Sequence, residues 1–111
     1  MDLVLPMLPP WVDVFGGNLM LTVNKNVVCY PHKDSGNKGD NAVMFLGDYQ
    51  GGELCTEDGQ VFSERGVWHR YDGTTKLHWN NEIRSGTKYS VIAHCRADPY
   101  KMYNKKGRKA R

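Results

Sequence analysis

Residues 42–71 read AVMFLGDYQGGELCTEDGQVFSERGVWHRY. Four apolar runs, AVMFLG, ELCT, VFS and VWHRY, are cut apart by clusters of Gly, Asp, Glu, Gln and Arg. Runs this short cannot bury one face of a helix, whereas β-branched and aromatic residues between turn formers are what a strand needs. AVMFLG is apolar without alternation and predicts a strand in a sheet covered on both faces. Asp48 to Gly52 predicts a turn, and EDGQ at 57–60 predicts a hairpin, because Asp-Gly suits a two-residue primed turn. With turns at Glu64-Arg65-Gly66 and Asp72-Gly73, the stretch reads as a meander of short strands.

The pattern continues outward. Upstream are NLMLTV (18–23), a turn at Asn24-Lys25-Asn26, VVCY (27–30) and a polar loop, KDSGNKGDN (33–41). Downstream are KLHW (76–79), a loop around Asn80 to Gly86, and the long strand TKYSVIAHC (87–95). About eight strands and no capped amphipathic helix make an all-β domain, compatible with a jelly roll or another small barrel that limits exposed sheet edges. Met20, Met44 and Phe45 read as core. The boundaries are a proline-broken apolar lead-in at 1–17 that drapes over a sheet, the β domain at 18–97, and a polar, basic tail at 98–111.

At 111 residues, 40% hydrophobic and 24% charged, the chain is too short for two domains and too apolar for disorder. Its formal charge of +3 misleads: six of the 15 Lys and Arg residues follow Asp98, so residues 1–100 carry nine bases against 12 acids. The body is mildly acidic, and the tail reads either as a solvated extension or as an arm that touches phosphates. Cys29, Cys55 and Cys95 are odd in number and lack close metal spacing, which argues against a disulfide scaffold or zinc ribbon and for a reducing compartment. The start MDLVLPMLPPW has no basic leader and is interrupted by Pro6, Pro9 and Pro10, so it fits neither a signal peptide nor a membrane span. The expectation is a soluble intracellular protein of cytoplasm or nucleus, with no membrane contact.

His32-Lys33-Asp34 places two metal-capable side chains at alternate positions, on one face of an extended segment. His78, 44 residues beyond Asp34 on another predicted strand, supplies a third ligand. Two histidines and one carboxylate form the facial triad of non-haem iron(II) sites, which leaves coordination positions open for a chelating co-substrate and for dioxygen. Lys88 follows His78 by ten residues and Ser90 lies two further along the same strand face. An ammonium beside a hydroxyl can grip the far carboxylate of a bidentate keto acid.

In this respect the chain resembles the 2-oxoglutarate- and iron(II)-dependent dioxygenases, whose double-stranded β-helix carries an HxD pair, a Gly-Gly-Glu-Leu stretch, a distal His, and a basic residue ten positions later followed by x-Ser. The matching residues are His32-Lys33-Asp34, Gly51-Gly52-Glu53-Leu54, His78 and Lys88-Tyr89-Ser90, in that order across most of residues 18–95. Within the superfamily, HKDSGNKGDNAVMFLGDYQGGEL is most similar to the ten-eleven-translocation/J-binding-protein branch, which oxidises the methyl group of 5-methylcytosine or thymine; Asn37 falls where that branch often carries Asn. The resemblance implies a cupin-like jelly roll, Fe(II) held by His32, Asp34 and His78, and 2-oxoglutarate held by Lys88 and Ser90. It further implies oxidative decarboxylation to succinate with hydroxylation of a C–H bond. Two departures stand out. The branch usually has Arg where this chain has Lys88, a feature shared instead with prolyl 4-hydroxylases, and about 17 residues precede the first strand where such domains usually add helices against the larger sheet.

Nucleic acid is thus one candidate partner, a protein substrate such as a prolyl side chain a second, and a subunit that covers the sheet a third. The contrasting reading is a non-catalytic β-barrel module that binds a metal or small acid. His69 and His94 read as core or surface residues, with His94 the fallback third ligand. Trp68, Trp79, Tyr30 and Tyr71 read as core aromatics or as platforms for a flipped base. Gly51 and Gly52 read as a tight turn with close backbone approach, and Arg84 as a solvated loop charge or a substrate contact.

Overall fold

The computed structural model describes residues 18–96, so the predicted lead-in at 1–17 and tail at 98–111 lie outside the described residues. Every regular element is a strand: β1 (Asn18–Lys25), β2 (Asn37–Gly51), β3 (Leu54–Thr56), β4 (Val61–Phe62), β5 (Trp68–Tyr71), β6 (His78–Asn80) and β7 (Ile83–Arg96). They form two antiparallel sheets, ordered β1-β7-β2-β5 and β4-β3-β6. The all-β expectation holds. No helix among the described residues is long and apolar enough to cross a membrane. Cys29, Cys55 and Cys95 form no disulfide.

Alternation along the strands sorts the larger sheet into two faces. Its inner face carries Val43 and Phe45 of β2, Tyr71 of β5 and Ile92 of β7, and the smaller sheet contributes Leu54 and Phe62. Phe45 and Val43 are each 2% exposed, a burial worth about 2 kcal/mol per side chain. Met44 and Phe45 are buried as expected, but Met20 is 43% exposed. It sits on β1, at the end of the sheet order, where no further strand covers it among the described residues.

Strand β7 pairs with β1 on one side and β2 on the other, with Lys25 opposite Tyr89 and Gly47 opposite Lys88. Both β2 and β7 are longer than predicted. Asn37–Asn41, expected in a loop, belong to β2, and Ile83–Gly86, expected in a loop, belong to β7. Asn37, Lys38 and Asn41 pair through the backbone, as do Ile83, Ser85 and Gly86, and of these side chains only that of Ile83 packs against the hydrophobic core, so the segments show no apolar alternation.

The expected meander does not form. The hairpin at 57–60 does join β3 to β4, but through a three-residue loop, Glu57-Asp58-Gly59, bracketed by the bond from Thr56 N–H to the Gln60 carbonyl at 3.0 Å. The chain then crosses to pair β5 with β2 and returns to pair β6 with β3. Predicted strand VVCY is not a regular strand either. Its end lies along β6 nonetheless, through reciprocal backbone bonds between His32 and His78, both 3.0 Å, and one from Asn80 N–H to the Cys29 carbonyl at 3.1 Å. Pro31, which has no N–H, and the use of the Tyr30 carbonyl by the His32 ring break the ladder there.

Candidate metal centre

His32 and His78 are a hydrogen-bonded antiparallel pair, and directly opposed residues project side chains to the same face. Their ring centroids are 4.3 Å apart. In each ring Nδ1 lies near the carbonyl two residues upstream, Tyr30 at 2.7 Å for His32 and Lys76 at 3.2 Å for His78. A carbonyl can only accept, so Nδ1 carries the proton in both rings and Nε2 is turned to the site.

Both Nε2 atoms face Asp34, His78 at 3.2 Å from Oδ2 and His32 at 3.5 Å from Oδ1. Asp34 is fixed by its backbone, whose N–H donates to the Gly73 carbonyl at 2.7 Å and whose carbonyl accepts from Asn37 N–H at 3.1 Å. One ligand atom from each of the three residues lies within 4.8 Å of the others. A small ion with bonds of about 2.0–2.2 Å can bridge such a set. The histidine–carbonyl bonds are the kind of outer support that orients metal ligands. His32, Asp34 and His78 could therefore hold a metal ion.

The electrostatics couple Asp34 and His78. The Asp34 carboxyl is held below the usual range chiefly by the hydrogen bond from His78, against the cost of burial. Burial disfavours a charged His78, but the bonds to Asp34 and to the Lys76 carbonyl outweigh it and raise its pKa. The protonated form of His78 can donate from both nitrogens in this arrangement, and a cation bound at Nε2 would compete with a proton there.

The triad opens into a cavity of about 350 Å³ that Phe45, Ser90, Ile92 and His94 also line. Ser90 follows Lys88 by two residues on the same face of β7. Lys88, unlike Ser90, does not line this cavity and is 1% exposed. Its Nζ donates to the Gly52 carbonyl and stands 4.7 Å from the centroid of Phe45 and 5.8 Å from that of Tyr49. Burial pushes its pKa down, with Glu53 acting in the opposite sense. Gly52 has a positive φ of 71°, and a Cβ there would come within 3.1 Å of Lys88 Cδ, so the predicted close backbone approach is toward this ammonium.

The remaining sequence candidates divide. His94 lines the cavity but lies outside the triad, with Nδ1 3.1 Å from Asn37 Oδ1. His69 packs between Phe45 and Phe62, at 5.4 and 5.3 Å, and bonds the Glu64 carbonyl. Tyr71 is buried with its ring edge to His78 at 5.2 Å, and burial pushes its hydroxyl pKa up to about 12. Tyr30 is exposed, Trp68 and Trp79 are half-buried, and Arg84 is exposed on β7. Two residues of the site were not legible in the sequence. Asn41 is 1% exposed beside Asp34, and Gly73 leaves the space that Asn41, Tyr71 and His78 fill. The signal for Gly73 was present, but Asp72-Gly73 reads equally well as an ordinary turn.

Comparison with protein-family models, with curated proteins and with solved structures found no match.

Proposed function

We propose that this chain is an iron(II)- and 2-oxoglutarate-dependent dioxygenase built on a jelly-roll core. The observation that carries the reading is a cavity lined by two histidines and a carboxylate within ligand distance of one another; the buried Lys88 ammonium does not itself line the cavity but stands 4.7 Å from the ring centroid of Phe45, which does. A structural metal site needs no such cation, and a closed site would use a fourth protein ligand. The strand orders support the fold reading. With segment 29–32 beside β6, eight extended segments run 1-8-3-6 in one sheet and 2-7-4-5 in the other, the arrangement expected of a chain that winds two Greek keys into a double-stranded β-helix.

Bound iron(II) and 2-oxoglutarate would supply oxygen activation coupled to decarboxylation, so that the keto acid, dioxygen and a substrate C–H bond give succinate, carbon dioxide and an alcohol. His32, Asp34 and His78 hold the ion and leave its other positions open. Lys88 binds the distal carboxylate of the keto acid as a point charge, and Ser90 adds a hydroxyl from the same strand face. Gly52 and the rings of Phe45 and Tyr49 keep the ammonium dry, which strengthens its attraction for an anion.

The favoured substrate is a nucleobase methyl group in DNA or RNA, on the resemblance of residues 32–54. A base in a duplex would have to be flipped out, with phosphates held by the basic tail or by a partner subunit. Lys88 in place of arginine favours a protein side chain as the second reading. Anaerobic addition of iron(II) and 2-oxoglutarate should produce the weak visible band of a chelated keto acid. In air, succinate should form and should be lost in both His32→Ala and Lys88→Ala. A colourless mixture, or unchanged turnover in either variant, would overturn the assignment. Product mass after incubation with methylated DNA, methylated RNA and proline peptides separates the substrate readings.

A further inference from the structure

Asn41, at 1% exposed, is more buried than His32 or Asp34, whose side chains are at 39% and 36%, yet neither the metal triad nor the lysine accounts for it. In a regular strand residues 37 and 41 would lie about 13 Å apart along the chain. The ladder between β2 and β7 breaks between Lys38 and Ala42, and across that irregularity Asn37 Nδ2 donates to Asn41 Oδ1 at 3.0 Å. The distortion thus brings the two amides together. Because Asn41 Oδ1 is occupied as an acceptor, its Nδ2 is the end presented to Asp34 Oδ2, at 3.5 Å, the outer limit of a hydrogen bond. Asn37 is fixed in turn, since its Oδ1 accepts from His94 Nδ1 at 3.1 Å. The polar chain runs one way: His94 donates to Asn37, Asn37 to Asn41, and Asn41 to the carboxylate.

On the reading of His32, Asp34 and His78 as metal ligands, we infer that Asn41, oriented by Asn37 and His94, is a positioning residue that ties back one oxygen of Asp34 and leaves the other to the ion. A carboxylate with both oxygens available can chelate and take a coordination position that a co-substrate needs; one with an engaged oxygen offers a single bond. Gly73 belongs to the same device. A Cβ there would stand 2.7 Å from Asn41 Nδ2, and the Gly73 carbonyl holds the Asp34 backbone.

Cobalt(II) tests the inference without turnover, because its visible absorption reports coordination number. The full chain, Asn41→Ala and Asn37→Ala are titrated with cobalt(II), and circular dichroism checks that each is folded. Asn41→Ala should bind cobalt(II) about 10- to 100-fold more weakly, the usual cost of losing an outer-shell partner, with altered absorption of the bound ion. Asn37→Ala, at a less buried position, should shift both in the same direction by less, and it decides the matter if Asn41→Ala does not fold. Wild-type affinity and spectrum in the folded variants would overturn the positioning role alone. Failure of the wild-type chain itself to bind cobalt(II) would overturn the metal-site reading along with it.

Discussion

Lys88→Met should make the ligand-free protein more stable while removing its hold on an acidic ligand. Lys88 is 1% exposed, and among the described residues its ammonium has a single hydrogen-bond acceptor, the Gly52 carbonyl. Burying an ion costs several kcal/mol, and well-packed apolar replacements of buried ionic groups often gain 1–4 kcal/mol. Methionine matches the lysine stem and keeps the contacts with Phe45 and Tyr49. The substitution also strands the Gly52 carbonyl, a loss of about 1 kcal/mol. The expected net gain is about 1–2 kcal/mol in urea denaturation, with a rise of roughly 4–8 °C in Tm per kcal/mol for a domain of this size. Calorimetry should show 2-oxoglutarate binding about 10- to 100-fold weaker, the equivalent of one charge-assisted hydrogen bond. The pH dependence supplies a second check. Because burial lowers the Lys88 pKa in the folded state, the unfolded chain binds more protons between that value and the ordinary 10.5. Wild-type stability should therefore gain from this group as pH rises through that window, and the variant should lack the gain. A variant less stable than wild type by more than about 1 kcal/mol would refute the idea of an unsatisfied buried ammonium.

Further outcomes follow from the same geometry. Cobalt(II) affinity should fall about tenfold per pH unit below the raised pKa of His78, which lies above 6.5, since the ion displaces that proton; a flat profile between pH 6 and 8 would show that His78 is not a ligand. Gly73→Ala should cost about 1–3 kcal/mol by overpacking and weaken cobalt(II) binding, because the new methyl would stand 2.7 Å from Asn41 Nδ2 and 3.1 Å from His78 Cε1. His69→Ala should lower stability by about 2 kcal/mol through lost packing and leave cobalt(II) binding intact. His32→Ala, which removes no ring packed between Phe45 and Phe62, should do the reverse; calorimetric melts beside metal titrations distinguish the two.

Much of the fold was legible where strands carry apolar residues. AVMFLG and VWHRY announce β2 and β5 because they supply Val43, Phe45 and Tyr71 to the core, and HKD followed by His78 announces candidate ligands because few other residue types bind metals. Legibility failed where backbone pairing is not accompanied by apolar burial. Asn37–Asn41 and Ile83–Gly86 look like loops, yet Asn37, Lys38 and Asn41, and likewise Ile83, Ser85 and Gly86, pair with neighbouring strands. Segment VVCY looks like a strand, yet Pro31 and the His32 ring consume its ladder bonds. Local sequence also carries no information on whether VWHRY pairs with its predecessor or with a strand in the opposite sheet. Asn41 was illegible for a further reason: its importance arises from a break in register, which only the partner strand defines.

The direct backbone pairing of His32 with His78 has one last consequence. Two candidate ligands that are opposite each other in a single ladder step keep their mutual spacing whatever the length of the intervening chain, so insertions in the turn at 57–59 should leave the pair undisturbed. Their amide protons are mutually protected, and proton exchange at these two positions should report whether the scaffold is assembled before any ion arrives.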